Sequence, residues 1–229
     1  MATWIVNIRI AEKLLAQYDL DPASFLAGNI GPDSGVPNEN RTSFDPPKSI
    51  THWVREDAIH GKDIVSIHDR EFYSKYLEGL TDSDLKGPRN SFLLGYYVHL
   101  LTDIEWSKMV NLKISLGSDF GRRFRQDPQF IWEVKKDWYG LDFKYLKDNA
   151  DSIYHTVFSQ INGMPDYLDY FPQGAIIRQI RYIQDFYGVE NDWVNKEFNY
   201  LTEDEMDAFV RNTVKVVLDL LHSLMGRTG

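Results

Sequence analysis

Phe92-Leu93-Leu94-Gly95-Tyr96-Tyr97-Val98-His99-Leu100-Leu101-Thr102-Asp103-Ile104-Glu105-Trp106 decides the reading of this chain. The stretch is apolar and aromatic, and His99 and Asp103 stand within it four positions apart. A helix that is apolar all round is one enclosed by its neighbours. The pattern therefore predicts a long, central, buried helix from Pro88 to about Leu116. Positions i and i+4 share a helix face, so the imidazole and the carboxylate can converge on one point. A buried carboxylate is costly unless it is paired or bound to a metal, and nitrogen with oxygen donors suits zinc. Two readings of the pair stay open here: half of a metal site, or a His–Asp hydrogen bond that locks two helices together.

The sequence around this helix is helical too. Apolar residues from Ile8 to Tyr18 form a helical stripe. Asp21-Pro22 opens a short second helix with proline in its favoured first turn. Residues 29 to 68 read as the longest irregular region, and long loops in compact domains are often functional. Further helices are expected over Arg70 to Gly79 and over 127–148, 150–162, 172–187 and 203–225. Thr202 and Glu205 have capping-box spacing at the start of the last. Gly95, one turn before His99, suits close approach of another backbone. No strand or repeat stands out. The expected fold is all-α, a single-domain multi-helix bundle (residues 1–229) around the central helix.

Composition narrows the function classes. The chain has 229 residues, 43% of them hydrophobic, enough for a large core in one domain. It has no cysteine, so thiolate metal sites and disulfide scaffolds are excluded and any metal must use His, Asp, Glu or backbone. A net charge of −9 argues against nucleic acid, whose phosphates are met by Lys and Arg. Gly121-Arg122-Arg123-Phe124-Arg125 is the local exception, a run that could meet a phosphate or be a solvated loop or helix start. The amino-terminal residues lack the charge pattern and apolar run of a signal peptide, and no stretch reaches transmembrane length. The expected location is cytoplasmic. No nucleophile elbow or phosphate-binding loop is present.

Ligands to join His99 and Asp103 are available upstream. Asp33 follows Gly31-Pro32 in a loop, as a metal ligand or as an Asx-turn residue. His52, in Ser49-Ile50-Thr51-His52-Trp53, is a second ligand or a surface histidine. His60 and His68 lie in the same region. Trp53, Tyr96, Tyr97 and Trp106 are aromatic residues that could line a site or belong to the core.

The order Gly-x-Ile-x-Pro-Asp (residues 28–33), Thr-His-Trp (51–53) and Leu-Gly-Tyr-Tyr-x-His-Leu-x-x-Asp (94–103) resembles the bacterial zinc-dependent phospholipase C family. That family shares an all-helical fold with fungal single-strand nucleases. The resemblance runs from Ala2 to about Lys113. It implies that Asp33, His52 and His99 hold one metal, that Asp103 links it to a neighbouring position, and that Asp33 also orients a water. The implied activity is zinc-dependent hydrolysis of a phosphoester, with a small phosphoester or a phospholipid headgroup as substrate. The alternative is a degenerate member that binds metal or a ligand without catalysis. The departures set the metal count. The family's free amino-terminal Trp corresponds to Trp4, which is preceded by three residues. Asn7 and Met109 stand where further His ligands belong. The nearest substitutes are Asp137 and Asp142, or His155 alone. One firmly bound zinc is expected, with at most one looser divalent ion beside Asp103.

Overall fold

The long apolar stretch forms α6 (Pro88–Ser115), with Pro88 in its first turn and every residue from Ser91 to Asp103 buried. A computed structural model describes residues 1–40, 42–54, 66–116 and 119–226. Before α6 come α1 (Trp4–Leu15), α2 (Pro22–Ile30), α3 (Lys48–Thr51), α4 (Asp69–Tyr76) and α5 (Asp82–Leu85). After it come α7 (Asp119–Gln126), α8 (Phe130–Asp148), α9 (Ile153–Thr156), α10 (Ala175–Tyr187) and α11 (Glu203–Leu224). The fold is all-α, and the buried apolar side chains form one core.

The starts of the helices follow from their sequences. Asp21 caps α2 by accepting from the Ser24 amide at 2.8 Å. Both halves of a capping box are made by Thr81 with Asp84 at α5 and by Thr202 with Glu205 at α11, which satisfies amides that a helix start leaves without intrahelical partners.

The most extensive helix-to-helix packing among the described residues joins α2 to α6, and glycines permit it. A Cβ on Gly28 would lie 1.9 Å from the Phe92 carbonyl oxygen, and one on Gly95 would lie 2.1 Å from that of Phe25. The two backbones thus meet across a reciprocal pair of glycines, as expected for Gly95. Asn29, Ile30 and the Gly31–Asp33 turn of 3-10 helix are thereby carried against the middle of α6.

The structure corrects several expectations. A two-stranded antiparallel sheet exists where none was expected, pairing β1 (Val36–Pro37) with β2 (Phe44–Asp45). The 150–162 helix is two short pieces, α9 and a 3-10 turn at Phe158–Gln160. The Arg122–Arg125 run is inside α7, and its guanidinium groups face Asp119, Glu133, Tyr200 and the Ile114 carbonyl. His60 lies outside the described residues. Among the described residues, no helix is long and apolar enough to cross a membrane.

Candidate metal centre

His99 projects from the buried middle of α6 toward the end of α2. Its Nδ1 lies 2.8 Å from the Asn29 carbonyl oxygen. A carbonyl can only accept, so Nδ1 carries the hydrogen and, in the neutral ring, the lone pair is on Nε2. His52 reaches the same point from the C-terminal end of α3. Its Nδ1 is 3.0 Å from Thr51 Oγ1, and its ring centre is 5.4 Å from that of His99. Trp53, which follows it, has a left-handed backbone with φ of 53°.

The carboxylates complete the arrangement. Asp33 Oδ1 lies 3.4 Å from His52 Nε2, while Oδ2 accepts from Trp4 Nε1 at 3.0 Å. Asp103 Oδ2 lies 3.5 Å from His99 Nε2 and 3.7 Å from His52 Nε2. Its other oxygen accepts the Ala2 amide at 2.8 Å. Asp33, His52 and His99 each offer a ligand atom, all within 4.8 Å of one another.

These separations decide what the group can do. They are too long for good N–H···O hydrogen bonds, which close at about 2.7–3.2 Å. His52 Nε2, His99 Nε2 and Asp103 Oδ2 are buried and have no hydrogen-bond partner. Three orphaned atoms at one point are costly, since each unsatisfied buried polar group costs about 1–3 kcal/mol. A tetrahedral ion bound at about 2.1 Å spaces its ligands about 3.4 Å apart. The separations of 3.4, 3.5 and 3.7 Å are near that spacing, and the residues that converge within 4.8 Å are Asp33, His52 and His99, with Asp103 beside them. The residues therefore fit a divalent cation.

The electrostatics agree with this. Burial would raise the Asp33 and Asp103 carboxyls. For Asp33 this is outweighed by His52, His99 and Lys48, which leave it well below the usual carboxylate range. For Asp103 the amino terminus, His99 and His52 bring it down to about 2. Burial pushes His52 down. Burial also works to lower His99, but Asp103 and Asp33 carry it upward overall. The carboxylates are thus charged, and a cation would compete with a proton for His99.

A cavity of about 740 Å³ meets the group at Asp33. His52, His99 and Asp103 are enclosed, with Asp33 the more exposed of the four. Trp106 lines the cavity, whereas Tyr96 and Tyr97 are core residues and Trp53 packs edge-on against Phe72.

The expected substitutes for the missing histidines are engaged elsewhere. Asp137 takes Lys196 and the Tyr200 amide. Asp142 accepts from Thr3 Oγ1 at 2.7 Å and from Tyr187 at 2.5 Å. Burial pushes the Asp142 carboxyl up to about 7. His68 pairs with Glu71, and His155 faces the Leu146 carbonyl. Asn7 is buried and bonds its own helix start through Nδ2. None of these belongs to the Asp33–His52–His99 group. Sequence reasoning missed the Trp4 and Ala2 donors, because an indole and a main-chain amide carry no ligand signature. Comparisons with protein-family profiles, curated proteins and solved structures return no match for this chain.

Proposed function

We propose that this chain is a zinc-dependent hydrolase of phosphoesters, similar to the bacterial zinc-dependent phospholipases C. The observation that carries the reading is the group of Asp33, His52 and His99 within 4.8 Å of one another at the wall of a large cavity, with the histidine Nε2 atoms and the neighbouring Asp103 Oδ2 buried and orphaned. His52, His99 and Asp33 form a donor set that zinc accepts with its fourth position left to water, Asp103 lying beside the histidines. When bound, zinc would lower the pKa of a coordinated water and stabilise charge on a phosphoryl oxygen.

The chain's own residues supply the rest. The Asn29 carbonyl fixes the His99 tautomer, and the Ala2 amide holds one oxygen of Asp103 so that the other faces the histidines. That amide occupies the oxygen that would reach a second ion, which supports one tightly held metal. Trp4 orients Asp33, leaving its carboxylate at the boundary between the buried ligands and the substrate space. Asp33 is the residue assigned to orient the attacking water.

The test begins with metal analysis of protein purified without a chelating tag and supplemented with zinc. One zinc per chain is expected, lost in His99→Ala. Turnover of bis(p-nitrophenyl) phosphate and p-nitrophenyl phosphate is then assayed with zinc, manganese and no metal. Turnover that vanishes in Asp33→Asn supports the hydrolase. No bound metal in the parent protein overturns the reading. Bound metal without turnover of either ester would instead favour the non-catalytic alternative, which the engaged second oxygen of Asp103 and the residues Asn7 and Met109 make the competing reading.

A further inference from the structure

Three cations line the cavity beside Asp33, namely Lys48, Lys135 and Arg178, against the two carboxylates of Asp33 and Asp127. This local excess stands in a chain of net charge −9. Some long cations elsewhere are paired, as Lys113 is with Glu205, Arg123 with Glu133 and Lys144 with Asp148. In the cavity they are not: among the described residues, none of the three has a carboxylate oxygen within 4.0 Å. Lys48 Nζ touches Met1 Sδ at 3.4 Å, Lys135 Nζ lies 4.7 Å from the Trp132 ring centre, and Arg178 Nη1 donates to the Gln173 carbonyl.

Lys48 and Lys135 are half-buried, and both line this one cavity. Burial, and then the charge of Lys48, push the Lys135 ammonium down against the opposing pull of the Asp33 carboxylate, on which Lys48 also acts. Like charges held in one partly desolvated cavity repel, and an anion placed between them turns that repulsion into attraction. Val36, Val110, Ile131 and Tyr139 contribute to the wall, and apolar walls focus such a field on whatever enters.

We propose that Lys48 and Lys135 form an anion subsite beside the metal centre, selecting phosphoesters whose organic part carries a second negative charge. The substrate class rests on the hydrolase reading, whereas the anion subsite does not. A cationic arm would meet two ammonium groups and be turned away, so the same residues reject as well as attract.

The experiment uses the full chain and inorganic phosphate as the probe. Phosphate is titrated calorimetrically into chelator-treated protein, where the lysines and not a metal must hold it. Binding should be measurable, weaken at least about tenfold in the Lys48→Gln/Lys135→Gln double variant, and persist in Lys48→Arg/Lys135→Arg. Unchanged circular dichroism and unchanged zinc content of the reloaded variants exclude misfolding. Equal phosphate affinity in the glutamine variant, or no binding by the parent, overturns the subsite. A kinetic arm compares two p-nitrophenyl phosphodiesters, one with a carboxylate arm and one with a trimethylammonium arm of equal length. The first should have the higher kcat/KM, and the preference should disappear in the glutamine variant. No preference in the parent overturns the substrate class. Phosphate held by the lysines in a protein that cleaves neither ester upholds the subsite and overturns the hydrolase reading.

Discussion

Replacing Gly95 with alanine should damage the fold and the metal centre together, by an amount that follows from the contact it would create. The added carbon would sit 2.1 Å from the Phe25 carbonyl oxygen and 2.9 Å from the Asn29 amide nitrogen. Close carbon–oxygen contacts begin at about 3.3 Å, so α2 must withdraw from α6 by roughly 1 Å. Both obstructing atoms are main-chain atoms of α2, and no side chain can rotate to relieve the clash. Overpacking of this kind costs about 1–3 kcal/mol or more, and the absence of a flexible neighbour places this case at the top of that range. Alanine's better helix propensity returns about 1 kcal/mol, leaving a net loss of about 2 kcal/mol or more. The same withdrawal carries away the Asn29 carbonyl that holds His99 Nδ1 at 2.8 Å. Loss of such a supporting hydrogen bond costs about 10–100-fold in metal affinity. Urea unfolding of metal-free protein measures the first effect, and competition for zinc with a chromophoric chelator measures the second. Gly163→Ala, where a Cβ meets nothing within 4 Å, is the control. A Gly95→Ala protein within about 0.5 kcal/mol of the parent, the scale of an ordinary surface substitution, and with unchanged zinc affinity, would refute this account of the α2–α6 junction.

Two other outcomes are expected. Burial lifts the folded-state carboxyl of Asp142 from an ordinary 3.8 to about 7, so between these values the native state binds a proton that the unfolded chain has already released. Its contribution to stability is fully present below about pH 4 and is lost as pH rises through about 7, with a slope of at most about 1.4 kcal/mol per pH unit. Asp142→Asn should flatten the difference in chemical-denaturation stability across that window, and an identical pH profile in parent and variant would contradict the burial argument. Trp4→Phe removes the indole donor to Asp33, so kcat for bis(p-nitrophenyl) phosphate should fall about tenfold or more at unchanged zinc content. An unaltered kcat would mean that the indole does not set the Asp33 carboxylate.

The central helix was legible because fifteen residues of nearly unbroken apolarity leave few other arrangements, and the His99–Asp103 spacing follows from helical periodicity alone. Gly95 was legible for a related reason: a residue without a side chain in a crowded stretch implies a close neighbour. Asp33 and His52 were harder. Each stands in irregular sequence, and only their order relative to the α6 motif, with the family resemblance, drew them to His99. The small sheet escaped notice because Val36–Pro37 and Phe44–Asp45 are too short to show alternation. Asp137 and Asp142 were attractive as replacement ligands by residue type, yet each is spent on a partner far along the chain, and no local pattern announces such pairings. The cation excess at the cavity was invisible for the same reason. Lys48, Lys135 and Arg178 are scattered in sequence and gather only when α3, α8 and α10 come together around one space.

The bond from the Ala2 amide to Asp103 spans 101 positions, and it bears on the order in which this protein is made. Closing so long a loop carries an entropic cost that must be met before its contacts repay it. During synthesis, α1, α2 and the segment bearing His52 leave the ribosome well before α6 does. At that stage Asp33 and His52 exist without His99, without the Asn29 clasp on its ring, and without the carboxylate that the Ala2 amide would hold. A nascent chain halted before residue 99 therefore carries only Asp33 and His52 of the group. On the proposed reading, capture of an ion would be a late event, and retention of metal by a refolding chain would report that α6 has reached the segments bearing Asp33 and His52.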